Sequence, residues 1–329
     1  MENKLMSVQE TNQLINSGHI LVIAGEEEVL NKLNTGDWIG GTIPYFMNGE
    51  SGGVVDQEQV FVTDFTAVVA QAKIQVYNEE QITKTMLEDR FKDGFSYVLL
   101  PAFSSIHQTY ALKTGEEPTL FDVPTMGWIT GVHLDDIGTK TPKVINGKTG
   151  EVLSDKGCVL HCQLPTDKYG ELSIVNIYEQ GLGDKITFKE DDFSCSDCWI
   201  NGEPANLADY YVKNEIDVSL PLVADYSGAS INVSIQSVDA ETGKVAFFAP
   251  VLNTREYHIA KPIDDLYAAF CGDLPEDTSG VVCSCNCVLN YVNIGMKGKL
   301  SGKFTGPFTF GEIAYVLVNQ TMVVLSIHE

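Results

Sequence analysis

The first hundred residues alternate short helical segments with short apolar segments, and this alternation limits the possible folds more than any other feature of the chain. Ser7 and Glu10 form an S-x-x-E capping box, which predicts a helix that Gly18 is placed to end. Residues 19–24 and 95–100 are apolar runs of the length typical of buried strands. Helices that alternate with strands indicate a sheet packed against helices in this part of the chain.

The rest of the chain favours short strands separated by turns. The helical pattern fades after Thr125, although residues 204–212 again predict a helix. A polar, turn-rich segment at 165–170 marks the predicted domain boundary, and a chain of 329 residues is long enough for about two domains. We therefore predict an α+β fold of two mixed α/β-layered domains with mixed or antiparallel sheets, at residues 1–170 and 171–329.

The chain is strongly acidic, with 45 Asp and Glu residues against 21 Lys and Arg residues and a formal net charge of -24. Such a surface repels phosphate backbones and anionic membranes, so we expect neither nucleic acid nor a membrane as a partner. No apolar run approaches the roughly 20 residues that span a bilayer. The first residues also lack the cationic start and apolar core of a signal peptide. We therefore expect a cytoplasmic location.

An apolar segment near the end of the chain contains one carboxylate, Glu312, between Gly311 and Ile313. A buried charge needs a partner or hydrogen bonds, which leaves this side chain two roles. It either accepts hydrogen bonds from backbone N–H groups of the neighbouring glycine-rich turns or binds the ammonium group of a ligand. The polar break that follows, with Asn319 and Thr321, predicts a hairpin turn.

Several short blocks of the sequence are informative because of the order in which they follow one another along the chain. They are residues 38–42 with 53–56, 124–127 with 157–160, 200–205, 282–285, and Gly311-Glu312-Ile313 with Asn319-x-Thr321. In these blocks and their order the sequence resembles the FIST family (F-box and intracellular signal transduction proteins). The resemblance covers most of the chain, as a FIST-N-like and a FIST-C-like half. It implies a module that senses a small molecule for signal transduction and acts on a separate signalling protein.

The resemblance also implies a ligand site between the two halves, for a small polar molecule such as an amino acid. Paired glycines let backbone approach a ligand closely, and aromatic rings can form a stacking wall. On an extended strand, Ser284 and Asn286 fall on the face opposite the neighbouring cysteines. The predicted ligand-binding residues are Trp38, Gly40, Gly41, Thr42, Tyr45, Ser284, Asn286 and Glu312.

Each group of predicted site residues has a structural alternative. The glycine segment is also explained by a plain transition from strand to loop, and the polar pair by hydrogen bonds to neighbouring backbone. FIST proteins commonly carry a basic residue after the Ser-Cys of the later strand, where this chain has Asn286. No cofactor and no catalytic residue is predicted.

The 8 cysteines favour an alternative function, a thiol-based metal-binding or redox protein. Cys195 and Cys198 form a C-x-x-C, the pair predicted to bind a metal if any does, but a second C-x-x-C at suitable spacing is absent from the sequence. The alternating cysteines at 283, 285 and 287 share one strand face with aliphatic residues, which predicts core packing. An enzyme acting through cysteine needs a nearby base, whereas neighbours such as His161 and Cys162 point apart on a strand.

Overall fold

The computed structural model describes residues 3–226 and 228–329. It contains 17% helix and 42% strand in several mixed and antiparallel sheets, which confirms the predicted α+β class. The α-helices are Val8–Asn16, Glu27–Leu30, Lys84–Glu88, Ser105–Lys113, Leu207–Lys213, Leu266–Asp273 and Val288–Asn293. Short 3-10 helices lie at Thr114–Glu116, Leu120–Asp122 and Leu134–Asp136. Within the described residues, no helix is long and apolar enough to cross a bilayer.

Contacts between residues group the chain into two compact units. The larger unit contains Met1–Val175, Leu274–Leu317 and Thr321–Glu329, and the smaller unit contains Asn176–Asp273 and Val318–Gln320. The larger unit therefore takes in most of the chain after residue 273, which the sequence assigns to the second domain. The reason is long-range pairing of strands, since the last strand of the chain pairs with the strand that ends at residue 175.

The strands of the larger unit form three six-stranded sheets. In spatial order the first sheet contains Asn3–Met6, Val60–Asp64, Leu21–Gly25, Trp38–Thr42, Val144–Asn146 and Glu151–Leu153. The second contains Val316–Val318, Glu312–Ala314, Thr125–Thr130, Gly94–Pro101, Gly157–Gln163 and Gln71–Tyr77. The third contains Tyr169–Val175, Met322–His328, Val281–Cys287, Gly306–Thr309, Tyr45–Asn48 and Gly52–Val55.

Each of these three sheets is mixed. Leu21–Gly25 runs parallel to Trp38–Thr42, Gly94–Pro101 to Thr125–Thr130, and Val281–Cys287 to Gly306–Thr309, whereas the other pairings given by register are antiparallel. All eight residues of Gly94–Pro101 are buried. A strand that is buried on both faces carries a continuous apolar run, which is the pattern that the sequence shows at 95–100.

The smaller unit contains two antiparallel sheets. The six-stranded sheet contains Glu203–Asn206, Asp197–Ile200, Ile186–Thr187, Tyr257–Ile259, Leu222–Tyr226 and Ala229–Val233. The three-stranded sheet contains Asp192–Cys195, Lys244–Val251 and Ile235–Asp239. Their core is apolar and includes Phe188, Leu207, Tyr211 and Phe247.

Two local predictions have opposite outcomes. The capping box is confirmed, because the Ser7 Oγ accepts a hydrogen bond from the Glu10 N–H and the Glu10 carboxylate accepts one from the Ser7 N–H. The helix predicted at 204–212 is wrong at its start, because Pro204 lies in the Glu203–Asn206 strand and the helix begins at Leu207. Proline is accepted there because the strand is at the edge of its sheet.

Candidate functional site

Trp38, predicted to form a stacking wall, belongs to the hydrophobic core of the larger unit. Its side chain is 2% exposed and packs among apolar residues that include Leu21 and Ile23. Its indole N–H donates a hydrogen bond to the Asn34 carbonyl oxygen, 2.8 Å from Nε1. The indole N–H and the apolar ring of Trp38 are therefore both in contact with other residues of the protein.

Gly40 and Gly41 lie within the Trp38–Thr42 strand, so the expected transition from strand to loop does not fall at these glycines. A Cβ at Gly40 would come within 2.8 Å of the Trp38 ring, and one at Gly41 within 2.6 Å of the Trp128 ring. The close approach expected of glycine is therefore present, but the neighbours are tryptophan rings of the same unit. Packing explains both glycines.

Thr42 and Tyr45 also have their polar atoms occupied. The Thr42 Oγ1 accepts a hydrogen bond from the Lys143 N–H at 2.9 Å, and the Tyr45 hydroxyl accepts one from the Leu134 N–H at 3.0 Å. The Tyr45 ring is buried and stacks on His133, with 5.5 Å between ring centroids. Burial raises the pKa of Tyr45, so this phenol stays neutral.

Glu312 is fully buried, and hydroxyl groups contact both of its carboxyl oxygens. The Thr309 Oγ1 lies 3.0 Å from Oε1, and the Thr321 Oγ1 lies 2.9 Å from Oε2. Burial raises the pKa of Glu312 to about 8, although hydrogen bonds from Thr321, Thr309 and the Cys287 thiol oppose that rise. The side chain is therefore protonated at neutral pH. Its donors are mainly side chains, not the glycine backbone that the sequence suggested.

Asn286 is buried beside this carboxyl group. Its Oδ1 accepts hydrogen bonds from the Cys287 N–H at 2.8 Å and from the Asn290 Nδ2 at 2.9 Å. Its carbonyl oxygen lies 3.2 Å from the Thr309 Oγ1, which connects Asn286 to Glu312. The two predicted residues are thus brought together, within a buried hydrogen-bond network.

Ser284 is also buried, but it lines a hollow of about 170 Å³ in the larger unit. Its hydroxyl donates a hydrogen bond to the Thr305 carbonyl oxygen, 2.9 Å from Oγ. The hollow lies where the first described strand, the start of Val281–Cys287 and the segment before Gly306–Thr309 come together. Its polar lining residues are Asn3, Thr278, Ser284, Lys303 and Thr305.

Two polar groups of this hollow have no partner among the residues that the structure describes. The Asn3 Nδ2 donates a hydrogen bond to the Val282 carbonyl oxygen at 2.6 Å, but the Asn3 Oδ1 is buried and accepts none from those residues. The Lys303 side chain is exposed and makes no ion pair with any described residue. A buried acceptor without a donor is costly, so the site suits a ligand that supplies an N–H group and a negative charge.

Cys195 and Cys198 lie in two consecutive strands of the smaller unit, which belong to different sheets. The Cys195 thiol donates to the Asp197 carbonyl oxygen, 3.1 Å from Sγ. Burial raises the pKa of Cys195 to about 12 and that of Cys198 to about 11. Metal binding and redox exchange both use the thiolate, so these values do not favour either. In the residues that the structure describes, no group of three or more His, Cys, Asp or Glu side chains is placed to hold a metal ion.

The alternating cysteines pack in the core of the larger unit, as predicted. Cys283, Cys285 and Cys287 are all buried, and the Cys283 Sγ lies 3.6 Å from the Met126 Sδ. Burial raises the pKa of the Cys283 and Cys285 thiols well above the usual value. Cys283 packs as a small apolar side chain, whereas the Cys285 Sγ also lies 3.5 Å from the Gly127 carbonyl oxygen and the Cys287 thiol donates to Glu312.

A second buried network, which the sequence did not indicate, centres on His161. The His161 Nδ1 lies 2.8 Å from the Ser96 Oγ, and its Nε2 lies 2.8 Å from the Tyr77 hydroxyl. That hydroxyl donates to the Asp89 Oδ2 at 2.8 Å, so His161 Nε2 carries the proton and Ser96 donates to Nδ1. Ser96 is fully buried, which keeps a substrate from reaching it. Only the strand register, which places Ser96 opposite His161, reveals the pair.

Comparison with known proteins identifies a family for this chain. No curated protein and no solved structure is detectably similar to the chain. The model of DUF6976, a family of unknown function, matches residues 6–328. Because this match extends over nearly the whole chain, the protein belongs to the DUF6976 family.

Proposed function

We propose that the protein is a sensory module that binds an α-amino acid, or a closely related zwitterion, in the hollow beside Ser284. One observation carries the proposal. Lys303, which is exposed, and Asn3, whose buried Oδ1 accepts no hydrogen bond from a described residue, line the same small hollow. A free positive charge and a free acceptor are complementary to a carboxylate and an ammonium group on one molecule.

The size of the hollow agrees with such a ligand. Pockets for drug-sized molecules measure roughly 300–1,000 Å³, and this hollow of about 170 Å³ is smaller. In the proposed complex the ligand carboxylate pairs with Lys303 and the ligand ammonium donates to the Asn3 Oδ1. The Ser284 Oγ keeps a lone pair for a further N–H group, because its proton is used by Thr305.

The resemblance to FIST proteins supports a sensory role. A ligand acts as a signal only when it binds one conformation better than another. We propose that amino-acid binding stabilises one state of the larger unit, and that a separate signalling protein in the cytoplasm recognises this state. The net charge of -24 disfavours nucleic acid as that partner.

A thermal-shift screen of the full chain against the common L-amino acids tests the proposal. A ligand that binds only the folded state stabilises it by RT ln(1 + [L]/Kd), which is about 2.7 kcal/mol at a hundredfold excess over Kd. The amide and the N-acetyl derivative of an active amino acid should stabilise the protein less, because each removes one of the two charges. Absence of a shift with every amino acid at millimolar concentration would contradict the proposal.

Variants locate the effect. Lys303→Gln should weaken binding of the amino acid about tenfold and leave binding of its amide unchanged, because the amide has no carboxylate. Lys297→Gln is the matched control, since Lys297 is exposed in the same unit and does not line the hollow. Equal loss in the two variants would point to general electrostatics instead of this site.

A further inference from the structure

The smaller unit contains a larger hollow, of about 520 Å³. It lies over the hairpin of Asp197–Ile200 and Glu203–Asn206, whose turn is Asn201-Gly202 with φ of 53° and 86°. Positive φ at both central residues is typical of the type I′ turn that matches the twist of a hairpin. The turn thereby sets which residues of the two strands face each other.

The register places four lining residues on one face of the hairpin. Trp199 is opposite Pro204, and Asp197 is opposite Asn206. Cys198 falls on the other face and is buried in the core of the unit. The first face therefore presents an aromatic ring, a proline ring and a carboxylate to the hollow.

Lys189 also lines this hollow. Lys189 comes two residues after Thr187, the last residue of the strand that pairs with Trp199. The lining of the hollow thus includes one aromatic ring, Trp199, one cation, Lys189, and one anion, Asp197.

The functional groups of this face are free of protein partners. Among the described residues, neither the Lys189 ammonium nor the Asp197 carboxylate makes a side-chain hydrogen bond or ion pair. The Trp199 indole N–H likewise has no acceptor there, and its ring is half-buried. The Asn206 Oδ1 accepts a hydrogen bond from the Asp209 N–H, and its Nδ2 donates one to the Gly243 carbonyl oxygen. Asn206 therefore lines the hollow without a free polar atom to bind a ligand.

We propose that this hollow binds a zwitterion whose cation is a methylated ammonium group, such as a betaine. The face of a tryptophan ring attracts organic cations, and a methylated ammonium needs no hydrogen-bond acceptor from it. Asp197 adds a negative charge beside the ring, and Lys189 pairs with the carboxylate of the ligand. This site is separate from the one proposed beside Ser284, which needs an N–H donor for Asn3.

Tryptophan fluorescence of the full chain provides the test, with glycine betaine as the probe. The chain has three tryptophans, and Trp38 and Trp128 are buried at 2% and 0% exposure, so a saturable change reports on Trp199. Glycine betaine should bind more tightly than glycine, and more tightly than tetramethylammonium or acetate, each of which lacks one charge. No saturable change, or equal affinity for betaine and glycine, would overturn the proposal.

Charge variants assign the contacts. Asp197→Asn and Lys189→Gln should each weaken betaine binding about tenfold, a change of about 1.4 kcal/mol. Lys213→Gln, an exposed lysine that does not line the hollow, should leave it unchanged, and so should Lys303→Gln in the other site. Both lining residues are exposed, so their variants should keep the fold, which circular dichroism checks. Unchanged betaine affinity in both lining variants would overturn the proposal.

Discussion

Glu312 and His161 are both buried in the larger unit, and comparing them shows how burial affects an acidic and a basic side chain. Each side chain is fully buried and each contacts hydroxyl groups. Burial raises the pKa of the carboxyl group to about 8 and lowers that of the imidazole to about 3. A low-dielectric interior disfavours the charged form of either group, so one cause keeps an acid protonated and a base unprotonated.

The two networks differ in how they end. The Thr309 hydroxyl has one proton and three acceptors, namely Glu312 Oε1 at 3.0 Å, the Gly311 oxygen at 3.1 Å and the Asn286 oxygen at 3.2 Å. One hydroxyl proton cannot serve all three acceptors, and a protonated Glu312 supplies a second proton to this cluster. The His161 network instead extends through Tyr77 to Asp89, whose side chain is 38% exposed. The carboxyl site is closed, and the imidazole site reaches solvent.

The closed site should be the more sensitive to truncation. Glu312→Ala leaves the Thr309 and Thr321 hydroxyls without a partner and opens a cavity, so we expect the free energy of unfolding to fall by about 4 kcal/mol near pH 6. Urea denaturation measures this change. Glu312→Gln keeps the shape and should cost about 1 kcal/mol. A loss below about 1 kcal/mol for the alanine variant would contradict a closed network.

The pH dependence of stability should separate Glu312 from its glutamine variant. The native protein holds a proton on Glu312 that the unfolded chain loses above pH 4.5, so this contribution is present below pH 4.5 and lost as pH rises through about 8. Wild-type stability should therefore fall relative to Glu312→Gln by about 3 kcal/mol between about pH 5 and pH 8. Parallel curves for the two proteins would show that Glu312 is ionised in the native state.

The imidazole site should show the reverse dependence. Below pH 6.5 the unfolded chain carries a proton on His161. The native protein does not bind this proton until the pH falls to about 3. Its contribution is therefore present above pH 6.5 and is lost as pH falls towards about 3. Wild type should lose about 3 kcal/mol more than His161→Gln between about pH 7 and pH 4. Both proteins carry the same acidic residues, so the comparison removes their contribution to the pH dependence. Equal losses in the two proteins would contradict a neutral His161.

The smallest effect is expected at the exposed end of the imidazole network. Asp89→Asn keeps an acceptor for the Tyr77 hydroxyl and alters a group that water can reach, so it should change the free energy of unfolding by less than about 1 kcal/mol. Ser96→Ala, at the buried end, is the matched control and should cost more, because it leaves the His161 Nδ1 without a donor. Equal effects at the two ends would remove the distinction between closed and open sites.

Local features of the fold were predictable from the sequence because neighbouring residues determine them. The capping box at Ser7 and Glu10 needs only four residues, and the apolar run at 95–100 needs only its own composition. The row of cysteines at 283, 285 and 287 was assigned to the core from strand alternation alone. The roles of Gly40 and Gly41 were not predictable, because the rings that require them include Trp128, almost ninety residues away.

The residues of the candidate sites also divide into those that the sequence indicated and those that only the structure brings together. Of the residues that line the hollow beside Ser284, sequence reasoning named Ser284 but not Asn3 or Lys303, because the hollow brings together segments from opposite ends of the chain. For Glu312 it left two roles open, and neither included the partners that the structure shows, which are the hydroxyls of Thr309 and Thr321.

The sequence by itself determined the α+β class, many of the short elements and the core placement of Cys283, Cys285 and Cys287, since composition and periodicity act over a few residues. Only the tertiary structure decided which buried polar groups have partners. Hydrogen bonds and pKa values depend on atoms within a few ångströms, and strand pairing brings those atoms from distant parts of the chain.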